Sequence, residues 1–221
     1  LQPDSAQPHN NLGTALRDKG DLDGAIAEYR TALRLQPDDS AAHNNLGLAL
    51  SDKGDLDGAI AEYRAALRLQ PDAAQPHISL GKALAEKGDR DGAIAEWRTA
   101  VRLQPDDAAA HTNLGLALSA KGDLDGAIAE WRTVVRLKPN DAMAHTNLGI
   151  ELQAKGDLDG AIAEYHAAVR LQPDLVIAHT NLGSTLYAKG ELDEAIGEWR
   201  TAVRLQPDAI AHHNLGKVLS D

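Results

Sequence analysis

Six histidines stand 34 residues apart, His9, His43, His77, His111, His145 and His179, and His213 falls near the end of the chain. Imidazoles in register suggest metal ligation by type, but not by reach. Equivalent side chains on stacked helices sit about 8–10 Å apart, whereas zinc holds its nitrogens at about 2 Å. The adjacent His212 and His213 point to different faces of a helix and do no better. The series therefore reads as packing residues with hydrogen-bonded rings. Were those rings neutral and buried, stability would fall as pH drops through about 6. Carboxylate pairs such as Asp21 with Asp23, or Asp55 with Asp57, could serve acid–base chemistry, yet they recur in every copy at a helix start, where capping and the helix dipole account for them. Arg30 with Arg34, Arg64 with Arg68, Arg98 with Arg102, Arg132 with Arg136 and Arg200 with Arg204 form a basic stripe. A formal net charge of −11 makes this a solvated face rather than a phosphate track and argues against nucleic acid as a partner. No P-loop, dinucleotide fingerprint or nucleophile elbow is present, and the lack of cysteine excludes disulfides and thiolate chemistry. The chain reads as non-enzymatic, with no cofactor and no metal.

The elements that carry these residues follow from a repeat. Asn45-Leu46-Gly47 recurs in register at Leu12-Gly13, Leu80-Gly81, Leu114-Gly115, Leu148-Gly149 and Leu182-Gly183. A fixed period of this size is the sign of a solenoid whose copies bury their apolar faces only on neighbours. The 221 residues therefore form a single array over 1–221, with full copies at 6–39, 40–73, 74–107, 108–141, 142–175 and 176–209. Residues 1–5 are the tail of a preceding copy, and 210–221 are a terminal capping helix. In the second copy Leu46, Gly47, Ala49 and Leu50 recur at helical spacing, and Lys53-Gly54 closes that helix. Asp55 opens the next, Leu56, Ala59, Ile60, Tyr63, Ala66 and Leu67 form its apolar stripe, and Pro71 stops it. Tyr29, Tyr63, Trp97, Trp131, Tyr165 and Trp199 share one position of that stripe and read as core. Gly24, Gly58, Gly92, Gly126 and Gly160 cost about 0.5–1 kcal/mol each relative to alanine in a helix. Glu194 replaces that glycine in the sixth copy, so its second helix should start more firmly. The architecture is all-α. No apolar run approaches the roughly 20 residues that span a bilayer, and Leu1-Gln2-Pro3-Asp4 is not a secretion signal. The default expectation is a soluble cytoplasmic chain without membrane partners.

Helix, turn, helix at a period of 34, with Leu46, Gly47, Leu50, Gly54, Ala59, Tyr63, Ala66 and Pro71 at their offsets, resembles the tetratricopeptide repeat family. The resemblance covers essentially the whole chain. One departure is regular: the tryptophan-like position of the first helix is the histidine series. The resemblance implies a right-handed α-solenoid of helix pairs. Its first helices line a concave groove and its second helices form the convex side, and such proteins are scaffolds that hold a protein or peptide.

By analogy with the family, the groove is built from positions 2, 5, 6, 9 and 12 of each copy. The sixth position is an asparagine series, Asn11, Asn45, Asn113, Asn147 and Asn181, broken by Ser79 and extended by Asn214. An amide both donates and accepts, so it can pair with a peptide backbone whatever the ligand's side chains. At about 8–10 Å per copy and about 3.3 Å per extended residue, one asparagine would meet every third ligand residue. The series is similar to the asparagine ladder in the repeat region of O-linked N-acetylglucosamine transferase. The alternative is that these asparagines are merely tolerated polar residues or hold neighbouring repeats together. Beside them, the fifth position gives Asn10, Asn44, Thr112, Thr146 and Thr180, and an apolar anchor is expected around Met143, Ile150, Ile177 and Tyr187. The basic clamp with which some family members grip a terminal carboxylate is missing, since positions 2, 5 and 6 carry no Lys or Arg. Two other readings stay open: self-assembly into homo-oligomers through the repeat ends, and a substrate-recruiting arm of a larger enzyme such as a glycosyltransferase.

Overall fold

The computed structural model describes residues 5–206, and these carry twelve helices and no strand. The expected terminal helix over 210–221, with His212, His213 and Asn214, lies outside the described residues, as does most of the expected 1–5 tail. The helices come in pairs: α1 Ala6–Asp18 and α2 Leu22–Leu35, α3 Ser40–Asp52 and α4 Leu56–Leu69, α5 Ala74–Glu86 and α6 Arg90–Leu103, α7 Ala108–Lys121 and α8 Leu124–Leu137, α9 Ala142–Lys155 and α10 Leu158–Leu171, α11 Val176–Lys189 and α12 Leu192–Leu205. Each copy begins at the first residue of an odd-numbered helix. Each even-numbered helix ends two residues before the repeat's proline, because proline disfavours the helical region in the residue ahead of it. No described helix is long and apolar enough to cross a membrane.

The chain divides into two compact units, Leu1–Asn113 and Leu114–Asp221. In the first, α1 packs on α2, α3 on α4 and α5 on α6. Between copies α2 meets α3 and α4 meets α5, while α1 touches α3 and α3 touches α5. In the second, α9 packs on α10 and α11 on α12, α8 meets α9, α10 meets α11, and α9 touches α11. Each unit is thus a layer of odd helices against a layer of even ones. Small residues set the closeness between copies: Ala6, Ala32 and Ala42 form one buried contact, and Ala142, Ala168 and Ala178 form its counterpart.

Within a pair, the aromatic ring of the even helix lies over the glycine of the odd one. A Cβ added at Gly47 would stand 2.6 Å from Tyr63 Cε1, and one at Gly149 would stand 2.6 Å from Tyr165 Cε1. Trp97 and Trp199 turn their indole N–H to the carbonyls of Ile78 and Thr180, each at 3.2 Å. The turn between the helices passes through glycine in the left-handed region, as at Gly54 with φ 89°.

The even helices start on an aspartate whose side chain accepts from the glycine three residues on, at 2.9 Å for Gly58 N and Asp55 Oδ1. A Cβ at Gly58 would lie 2.5 Å from that carboxylate. The glycine therefore makes room for the cap, which offsets its intrinsic cost. In the sixth copy Glu191 and Glu194 replace the pair, and α12 has no side-chain cap bond. Beside the firmer start expected from Glu194 stands the loss of that cap bond, since a Cβ at the equivalent Gly58 would enter the space that the capping carboxylate occupies.

The histidines lie between the two helices of a pair. His43 Nδ1 is 2.6 Å from Glu62 Oε2, and its Nε2 donates to the Pro37 carbonyl at 3.0 Å. His77, His145 and His179 repeat both bonds, to Glu96 and Pro71, Glu164 and Pro139, and Glu198 and Pro173. The hydrogen-bonded packing role is met.

Candidate functional site

The exposed side of the odd helices carries the positions that vary. Position 2 is exposed in every described copy, at Gln7, Ala41, Gln75, Ala109, Met143 and Ile177. Met143 and Ile177 retain 44% and 43% of their surface. Both sit on the second unit, whose α9 and α11 touch. Ile150 and Tyr187 are half-buried, and the Tyr187 ring tilts against Trp199 with centroids 5.8 Å apart.

The fifth position turns inward more than the sequence reading allows. Thr146 is fully buried and Asn10 is 7% exposed, so neither presents a surface. The Thr112, Thr146 and Thr180 hydroxyls donate to the carbonyls of Ala108, Ala142 and Val176 at 2.8, 2.8 and 2.9 Å. This back-bonding to the preceding turn is what a helical threonine does when no other acceptor is offered.

The asparagine series divides by its partners. Asn45 Nδ2 donates to Asn10 Oδ1 at 3.1 Å, joining copy two to copy one, and Asn11 accepts from Gln7 Nε2 at 2.9 Å. The next rung of that kind would need a partner for Asn44, but Ser79 stands where an asparagine would, and Asn44 Oδ1 is buried without a hydrogen bond. Asn113, Asn147 and Asn181 are partly exposed, and their amides have no protein partner among the described residues. Part of the series therefore stitches repeats together and part remains open.

Two features of this side were missed from the sequence. Arg17 reaches across to Asp52, with Nε 2.8 Å from Oδ2. Burial works against that cation, but the hydrogen bond and charge of Asp52 outweigh it and hold its pKa above the ordinary value. Glu151 is 4% exposed at a position that is alanine in the first four copies. Burial, with the Glu151 charge second, raises the pKa of the neighbouring Tyr165 phenol. Comparing copies position by position would have flagged Glu151, whereas nothing in the sequence pairs Arg17 with Asp52.

A hollow of about 610 Å³ lies in the second unit where the turn after α8 meets Met143 and Leu171. In the first unit a hollow of about 400 Å³ lies among Asp23, Arg30, Lys53 and Asp55. Lys53 also pairs with Asp23 of the preceding copy, and Lys87 with Asp57 and Lys155 with Asp125 in the same way. The basic stripe of the even helices is solvent-exposed, with Arg34 donating to Thr31 at 3.0 Å.

No curated protein matches the sequence. Among solved structures, the chain is similar to YrrB, described as a TPR protein with an unusual peptide-binding site, at 26% identity and TM-score 0.78 over 84% of this chain and 96% of that one. It is similar to the MamA protein at 27% identity and TM-score 0.72, covering 76% of this chain and 92% of that one. It shares its fold with pilF of Pseudomonas aeruginosa, at 19% identity and TM-score 0.76 over 96% of each chain. The family profile described as Tetratricopeptide repeat matches residues 10–74, 78–142 and 146–210. With helix pairs of the expected period and a profile match over most of its length, the chain belongs to the tetratricopeptide repeat family.

Proposed function

We propose that this chain is a non-enzymatic interaction scaffold that binds an extended segment of a partner protein along the exposed side of its odd helices. The observation that carries the reading is the sorting of residues by burial. Positions shared by the copies, such as Leu46, Gly47, Ala59 and Tyr63, are buried, while positions that differ, Gln7, Ala41, Gln75, Met143 and Ile177, are exposed on the odd helices. Proteins of this family generally mediate protein–protein contacts, and YrrB carries a peptide-binding site. The free amides of Asn147 and Asn181 supply donor and acceptor groups for a peptide backbone, in the manner of the asparagine ladder, whereas Asn45 is already bonded. The test is affinity for a selected peptide ligand. Asn147→Ala and Asn181→Ala should each weaken it several-fold with the helical circular dichroism unchanged, while unchanged affinity in both would refute the ladder.

A further inference from the structure

The turn that enters the fifth copy differs in charge from the other described turns. Gln36-Pro37-Asp38-Asp39, Gln70-Pro71-Asp72-Ala73, Gln104-Pro105-Asp106-Asp107 and Gln172-Pro173-Asp174-Leu175 carry formal charges of −2, −1, −2 and −1. Lys138-Pro139-Asn140-Asp141 carries none, with one cation and one anion. That anion is occupied, since the Asp141 side chain accepts from Met143 N at 3.0 Å and Ala144 N at 3.1 Å. Lys138 is exposed and makes no ion pair among the described residues.

The same turn edges the hollow of about 610 Å³. Met143 and Leu171, 44% and 40% exposed, give it an apolar lining beside the Lys138 ammonium. The backbone is already fixed: Asp141 N donates to Lys138 O at 3.1 Å, and His145 Nε2 donates to Pro139 O at 3.1 Å. A preformed rim saves the ordering cost that a mobile loop would add on binding. One copy further, Ile177 presents the same position on the neighbouring helix. In the first unit those positions are Gln7, Ala41, Gln75 and Ala109, which offer no large apolar surface.

We infer that the second unit anchors an acidic, aliphatic segment of a partner protein, with one aliphatic side chain in the Met143–Leu171 hollow, a carboxylate beside it on Lys138, and a second aliphatic side chain three residues along on Ile177. The spacing follows from packed helices about 8–10 Å apart and an extended chain rising about 3.3 Å per residue. Charge complementarity selects this occupant: the turn has lost its usual aspartate and gained a cation on a chain of net charge −11. The inference rests on the groove reading above.

The test is selection of random 12-residue peptides displayed on phage against the whole chain, with affinities of the enriched peptides measured by fluorescence anisotropy. The expected sequences share two aliphatic residues three apart with Asp or Glu flanking one of them. Restoring the common turn with Lys138→Gln and Asn140→Asp should weaken them about tenfold, as should Met143→Gln, and added salt should shrink the first effect. Both changes install residues that other copies already carry, so the fold has precedent for them. Enriched peptides without this pattern, or affinities unmoved by both variants while Asn147→Ala still weakens them, overturn the anchor and leave the groove reading standing. Enrichment of no peptide overturns both.

Discussion

The contact between glycine and ring in each copy makes a single methyl group consequential. At Gly47 an added Cβ would fall 2.6 Å from the Tyr63 ring, whereas at Gly115 the nearest ring atom, Trp131 Cε2, is 3.2 Å away. Gly47→Ala should cost about 1–3 kcal/mol, and Gly115→Ala should cost clearly less, read as the difference in urea midpoint at constant slope. Tyr63 adds a dependence on pH. Burial pushes its phenol up to about 12, while its hydroxyl faces Ser51 and Ser79. An unfolded tyrosine ionises near 10, so the stabilisation is complete below about 10 and disappears as pH rises toward 12. The urea midpoint should therefore fall over that interval, and Tyr63→Phe should flatten the fall. Of the open amides, Asn147 and Asn181 were legible as binding candidates because their type and spacing are in the sequence. That Asn45 is already bonded was not, since its partner Asn10 lies 35 residues away on another copy.

Helix starts show how local chemistry trades against itself. The cap from Asp55 to Gly58 requires a residue without a Cβ, so aspartate and glycine act as a pair. In α12 both have changed to glutamate and the cap is absent. Glu191→Asp with Glu194→Gly should restore it and raise protection of the first-turn amides of α12 in native-state hydrogen exchange, by up to about 1 kcal/mol. Glu194→Gly alone should lower protection by a similar amount, because the glycine's cost would then stand without its cap. Helix positions were readable from the sequence to within a residue or two, since proline, glycine and aspartate act on neighbours along the chain. The inward turn of Thr146 was not, because burial depends on tertiary packing that the spacing along one helix does not record.

Within each unit the helices that pack together lie one or two places apart in the chain, so stability within a unit is a sum over neighbours. A lesion should therefore stay local. Gly149→Ala, which drives a Cβ to 2.6 Å from Tyr165, should raise hydrogen exchange in α9 and α10, then in α8 and α11, and leave α1–α4 at wild-type rates. A uniform rise across all helices would contradict this additive picture. Ion pairs from one copy to the next, such as Lys189 Nζ to Asp159 Oδ1 at 2.7 Å, lie at the surface, where water and salt screen them. The period of 34 made the array legible at first reading. The division into two compact units was not, since no break in the period marks Asn113 and Leu114.

The alternation of tyrosine and tryptophan over the same glycine also gives the molecule its own optical addresses. Its three tryptophans are Trp97 in the first unit and Trp131 and Trp199 in the second. Copies one, two and five already seat tyrosine at that position, fully or almost fully buried. Trp→Tyr exchanges therefore ask nothing new of the fold, and keeping one indole at a time would let fluorescence report the melting of a chosen repeat without an added label.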